Sequence, residues 1–180
     1  MKKILTLVCV LVLALSSVSA FAAMEDYNIV TSAETHKVIF DTDMGYFGDD
    51  TYALFILLQA DAAGYIDLLG VTSVGANVTI AEGTTAILNQ LEAVGREDIP
   101  VYMGTDVPIM GFRNMAAERE LWGAPEYSGA YWDFSTGDFF DVSQRPTNYL
   151  DLPSEPTYGY PETAPQDGHA IDFIIEQVHK

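Results

Sequence analysis

An α/β fold, with a mostly parallel sheet and helices on both faces, is what this 180-residue sequence predicts. Three observations carry the prediction. Short β-branched and aromatic runs alternate with stretches of helix formers, the pattern of strands joined by crossover helices. Four aspartates crowd the point where the first strand gives way to the first helix, and the carboxyl ends of strands are where open α/β sheets place their ligands. A composition of 49% hydrophobic and 19% charged residues can bury a core, which excludes disordered, collagen-like and coiled-coil chains.

The elements follow in order. Lys2 and Lys3 precede an apolar run from Ile4 to Leu15 and a small-residue stretch from Ser16 to Ala23. This reads as an export signal over residues 1–22, cut after Ala22 in the A-x-A pattern Ala20-Phe21-Ala22, because the run is too short to span a bilayer. Cys9, the single cysteine, leaves with it. The remaining chain, 23–180, is expected to be exported, periplasmic or secreted, and free of the membrane once the signal is removed.

Lys37–Phe40 is the first expected strand. Thr51–Ala63 is the first helix, with Leu54, Leu57 and Leu58 on one face. Ile66–Gly75 is the second strand and Thr79–Val94 the second helix, burying Ile80, Ile87, Leu91 and Val94. Gly95 ends that helix, and Ile99–Met103 is the third strand. From Phe112 to Tyr160 lie 11 of the 21 aromatic residues, and the span 112–165 holds 6 of the 8 prolines. No helix or strand period is legible there, so the segment reads as one long aromatic and proline-rich loop, either a lid or binding loop or a cover packed on the sheet. Ala170–Val178 is the last helix.

Charge narrows the function. Lys+Arg 8 against Asp+Glu 26 gives a formal net charge of −18. Such a chain is repelled by a phosphate backbone and by an anionic bilayer, so neither nucleic acid nor membrane is an expected partner. Hard divalent cations, which take carboxylate oxygens, suit it better.

The chemistry concentrates in Asp41-Thr42-Asp43-Met44-Gly45-Tyr46-Phe47-Gly48-Asp49-Asp50. Like charges at this density repel unless a cation or a shared proton joins them. Asp41 and Asp43, two apart on a strand, share a side of the sheet. Gly45 and Gly48 are expected to let the backbone turn so that Asp49 and Asp50 meet them at a helix N-terminus, which stabilises negative charge. The alternative for any one of these aspartates is a helix cap or a loop fastener; four together favour a metal site. Asn77, in Gly75-Ala76-Asn77 after the second strand, would lie at the same sheet edge and could bond a hydroxyl, although Asn there is also an ordinary turn residue.

These residues resemble the inosine-uridine type nucleoside hydrolases. The aspartate motif carries the resemblance, in a longer-spaced form. It continues through Gly70-Val71-Thr72-Ser73-Val74-Gly75-Ala76-Asn77, Ile99-Pro100-Val101-Tyr102-Met103-Gly104 and His169-Ala170-Ile171-Asp172-Phe173-Ile174-Ile175-Glu176. The resemblance implies an open, Rossmann-like sheet and calcium-dependent hydrolysis of the N-glycosidic bond of ribonucleosides, releasing base and ribose. It implies that Asp43 is a calcium ligand and the base that takes a proton from the attacking water. Asp50 is implied as the main calcium ligand, with Asp41 supporting the strand end and the calcium shell. Asp49 and Asn77 are implied as ribose contacts.

Family members are longer, and their downstream part supplies further calcium and ribose ligands. The sequence therefore resembles an N-terminal half, apparently truncated. A homo-oligomer or a complementing C-terminal half is an expected partner beside the nucleoside, and low activity of the 180 residues alone is expected. The rival from another class is a non-catalytic calcium- or ribose-binding fragment. A haloacid-dehalogenase-type phosphatase is disfavoured, because Met44-Gly45 stands where a hydroxyl residue should follow the second Asp. A calcium-binding helix-loop-helix hand is excluded by Gly45 at the third ligand position and Tyr52 at the twelfth.

Overall fold

The computed structural model describes residues 35–107, 109, 115–123, 129–133, 138–139 and 145–180, and the expected export signal lies outside them. Residues 36–180 form one compact unit. Strands β1 (His36–Thr42), β2 (Ile66–Ser73) and β3 (Val101–Met103) form a parallel sheet in the order β1-β2-β3. Parallel neighbours need a crossover, and helices α1 (Asp49–Ala62) and α2 (Ile80–Ala93) supply the two. The register slips by one residue at Val38/Ile39, where Leu69 bulges from β2. Beyond that bulge Val71 and Ser73 share one face, while Gly70 and Thr72 share the other.

Helices cover both faces, as the alternation predicts. On the Val71 face the core joins Leu54 and Leu58 of α1 with Ile87, Leu88 and Leu91 of α2. There too the hydroxyls of Ser73 and Thr84 share a 2.8 Å hydrogen bond. On the other face helix α4 (Ala170–Val178) lays Phe173 against Gly70 and stacks it on Tyr102, with ring centroids 4.2 Å apart. A Cβ on Gly70 would press on the Phe173 ring and the Pro100 carbonyl at 3.0 Å, so glycine lets this helix approach.

The helix ends are written locally. Thr79 caps α2: its hydroxyl accepts the Glu82 N–H while the Glu82 carboxylate accepts the Thr79 N–H, a reciprocal capping box. Gly95, at φ 68°, ends the helix in the left-handed conformation that glycine tolerates best. Val94 departs from the expected buried face; it is exposed and lines an open apolar groove with Phe55, Leu58 and Ala62.

The span 112–165 also departs from a uniform loop. Helix α3 (Met115–Trp122) occupies part of it, followed by Gly123 at φ 83°. Its sequence, Met-Ala-Ala-Glu-Arg-Glu-Leu-Trp, consists mostly of strong helix formers, a local signal obscured by the aromatic and proline-rich stretches around it. A short 3-10 turn (Gly129–Tyr131) and the two-residue antiparallel strands β4 (Trp132–Asp133) and β5 (Asp138–Phe139) follow. Among the described residues no helix is long and apolar enough to cross a membrane.

Candidate functional site

The site is built where β1 hands over to α1, beside the loop that leaves β2. Thr42, the last residue of β1, is buried, and its hydroxyl accepts the Met44 N–H at 3.1 Å. Met44 follows Asp43 and is 1% exposed, with its side chain in the core. One buried side chain thus anchors the acidic loop to the same core that fixes the sheet and both crossover helices. Asp49 and Asp50 open the first turn of α1, where the exposed amides and the helix dipole favour negative charge. The Asp49 carboxylate accepts the Asp50 N–H at 3.2 Å.

The carboxylates are coupled through Asp50. Partial burial pushes its carboxyl above the ordinary carboxylate range, a hydrogen bond from Thr42 opposes this, and the charges of Asp43 and Asp49 push it up further. A hydrogen bond shared with Asp43 acts in the same direction. Asp43 also reaches the neighbouring loop, since its Oδ2 accepts the Asn77 N–H at 3.1 Å. A cleft of about 410 Å³ opens here, lined by Asp49, Asp50, Asn77, Tyr46 and Phe47 among others. Asp41 faces elsewhere: its Oδ1 accepts the Thr72 hydroxyl at 2.6 Å, tying β1 to β2 on the α4 face.

A hard cation fits the all-oxygen donor set of Asp43 and Asp50, whose mutual repulsion it would relieve. Among the described residues no three His, Cys, Asp or Glu side chains gather as a metal cluster.

Three features of the site lie beyond sequence reading. Gln90 of α2 is buried beneath the acidic loop, and its Nε2 donates to the carbonyls of Gly45 at 3.4 Å and Tyr46 at 3.2 Å. The loop turns with Gly45 and Gly48 outside the left-handed region, so the expected glycine-enabled turn is replaced by this clamp from below. At Gly83, also on α2, a Cβ would meet the Met44 carbonyl at 3.1 Å, so glycine lets the acidic loop lie close on the helix. Finally, Arg145 and Asp106 form a 3.0 Å ion pair, 4% and 10% exposed, at the back of the Asn77 loop. Asp106 accepts the Ile80 N–H with its other oxygen, and Arg145 donates to the Ala130 carbonyl, whose own N–H donates to Ala76. A residue pair 39 positions apart with no local period leaves no sequence signal.

An acidic loop at the end of a parallel strand, with an asparagine loop beside it, is the geometry that the aspartate motif implies. Residues 38–180 match the family described as inosine-uridine preferring nucleoside hydrolase. The chain belongs to this family. Among its relatives, an uncharacterized protein of Schizosaccharomyces pombe is 34% identical over 140 residues, covering 78% of this chain and 34% of that protein. A protein of Arabidopsis thaliana named probable uridine nucleosidase 2 is 41% identical over 69 residues, 38% of this chain and 20% of that one. A solved plant nucleoside hydrolase superposes on 81% of this chain and 36% of its own, with a TM-score of 0.50 and 25% identity. The chain thus spans about a third or less of the length of these relatives. The family's α/β character, a parallel sheet with helices, is present here.

Proposed function

We propose that this chain carries the metal- and ribose-binding side of a nucleoside hydrolase site and serves calcium-dependent hydrolysis of the N-glycosidic bond of ribonucleosides, releasing base and ribose. The observation that carries the reading is the 3.1 Å bond from the Asn77 N–H to the Asp43 carboxylate, which joins the acidic loop to the Asn77 loop beside a cleft lined by Asp49, Asp50 and Asn77. Calcium held by Asp43 and Asp50, with Asp41 behind them at the strand end, would orient the attacking water and make it more acidic.

The residues supply the rest. Asp43 accepts the proton that water loses as its oxygen bonds to the anomeric carbon and the bond from that carbon to the base nitrogen breaks. Cleavage passes through a state with positive charge on the sugar, and the carboxylates of Asp49 and Asp50 that line the cleft stabilise it. Asp49, exposed at the helix start, accepts a hydrogen bond from a ribose hydroxyl. Asn77 contacts the ribose from the neighbouring loop, and its N–H bond to the Asp43 carboxylate ties the two loops together. We place the protein outside the cytoplasm, on the reading of residues 1–22 as an export signal; extracellular calcium sites work at affinities of about 10⁻⁴–10⁻³ M.

Isothermal titration of calcium into the chain and into Asp50→Ala tests the metal assignment. Binding that weakens at least ~10-fold in the variant is expected, since one of two carboxylates is lost. Equal affinities would remove it. Base release from inosine and uridine, with Asp43→Asn as the comparison, tests the chemistry: release that is unaffected by Asp43→Asn would overturn the role of Asp43.

A further inference from the structure

Asn77 is exposed, so water competes for the N–H that it donates to Asp43 at 3.1 Å. The direction of that donor is fixed from behind. A trans peptide is planar, with its C=O and N–H pointing opposite ways, and none of the described peptides is cis. The Asn77 N–H therefore shares one rigid plate with the Ala76 carbonyl, which accepts the Ala130 N–H at 2.9 Å. Ala130 holds one end of the plate, and the other end holds Asp43.

Arg145 joins the two segments that touch this turn. Its Nη2 donates to the Ala130 carbonyl at 2.9 Å and its Nη1 to Asp106 Oδ2 at 3.0 Å. Residues 129–130 press on the plate itself, since a Cβ on Gly129 would overlap the Ala76 carbonyl. Residues 105–106 press on its neighbour: Gly75 donates to the Thr105 carbonyl at 3.0 Å, and a Cβ there would overlap the Asp106 carboxylate. Asp106 Oδ1 also accepts the Ile80 N–H at 3.2 Å, which ties the frame to the start of α2. The Arg145 side chain is 4% exposed, and the planar fork of a guanidinium suits it to hold two partners at fixed positions.

We propose that Arg145 is a positioning residue for Asp43: by fixing Ala130 and Asp106 it fixes the Ala76–Asn77 peptide, and through that N–H the carboxylate. The inference rests on the calcium-ligand role proposed above for Asp43. It gives part of the 112–165 span a task, because Ala130 and Arg145 brace the Asn77 loop against the acidic loop. The sign of the effect separates positioning from charge. Arg145 is a cation, so if it acted through its charge alone, removing it would tighten calcium binding nearby. Positioning predicts the reverse.

Two measurements on the full chain, Arg145→Lys and Arg145→Gln test this: isothermal titration of calcium, and amide hydrogen exchange by NMR without calcium. Arg145→Lys keeps a charge for Asp106, which protects the fold, but it lacks the fork that reaches both partners. Both variants are expected to bind calcium about 3- to 10-fold more weakly, the fold-change of one lost hydrogen bond. The Asn77 N–H should exchange at least ~10-fold faster relative to the Leu88 N–H, which lies in the buried part of α2 and reports wider opening. Calcium affinity that is unchanged or tighter in either variant would overturn the positioning role and leave the calcium site standing. Asn77 and Leu88 exchange accelerated by the same factor would overturn it too, since Arg145 would then support only the fold. Failure of the wild type to bind calcium at all would overturn the proposed function and this inference with it.

Discussion

Asp106→Asn and Arg145→Gln, made singly and together, probe what holds the Asn77 loop against the rest of the site. The pair is 10% and 4% exposed at its side chains, so neither charge has water to fall back on. In Asp106→Asn the amide oxygen can still accept the Ile80 N–H, but the Arg145 guanidinium loses the charge of Asp106. In Arg145→Gln the Asp106 carboxylate loses the charge of Arg145, and the Ala130 carbonyl loses the Nη2 donor. Breaking a buried pair from one side costs about 3–5 kcal/mol, and each single variant should fall in that range. The double variant removes both charges and faces one amide with another, which can hydrogen-bond. It should therefore cost only about 1–2 kcal/mol, well below the sum of the singles. Urea denaturation of the four proteins, fitted with a common slope, measures the coupling. Single losses that add to within about 0.5 kcal/mol would refute the reasoning, because they would mean that the two side chains do not depend on one another in the folded chain.

Gln90→Leu removes the donor beneath the acidic loop and should lower stability by about 1–3 kcal/mol, since the carbonyls of Gly45 and Tyr46 lose a partner. It should also weaken calcium binding; unchanged affinity by isothermal titration would show that the clamp does not shape the site. The Asp61–Arg96–Asp98 cluster sets an acid limb. The Leu68 N–H first and Arg96 second hold the Asp61 carboxyl below the ordinary carboxylate range, and Arg96 does the same for Asp98. A carboxyl with a lowered folded pKa contributes stability that is present above its unfolded pKa of about 3.9 and is lost as pH falls through the folded value. Arg96→Gln should therefore flatten the fall in stability between about pH 5 and pH 3, by roughly 0.5–1 kcal/mol for a partly exposed network. Parallel stability curves for wild type and variant would count against the assignment.

Much of this chain was legible locally. The alternation of strand and helix, the capping box at Thr79, the stop at Gly95 and the acidic first turn of α1 depend on residues within a few positions of each other, so spacing along the sequence reports them directly. The density of aspartates from Asp41 to Asp50 pointed to a candidate site for the same reason: four like charges within ten residues stand out along the sequence.

What the sequence could not settle was decided by contacts between distant segments. Asp41 and Asp43 have the same parity on a strand, yet Asp41 is committed to the Thr72 hydroxyl while Asp43 meets Asn77, because each finds a different neighbour once β2 pairs with β1. Gln90 reads in sequence as one polar residue of a helix; packing places its amide under the loop carbonyls, where an unpaired polar group would be costly. Arg145 with Asp106, and Phe47 with Tyr158, are brought together only by the closing of long loops. Periodicity encodes which face of an element is apolar, and so it foretold the three strands of the parallel sheet and the helices α1, α2 and α4. The partners of polar and aromatic groups depend on where the chain returns in space, and that is set by the packing of α1, α2 and α4 on the sheet.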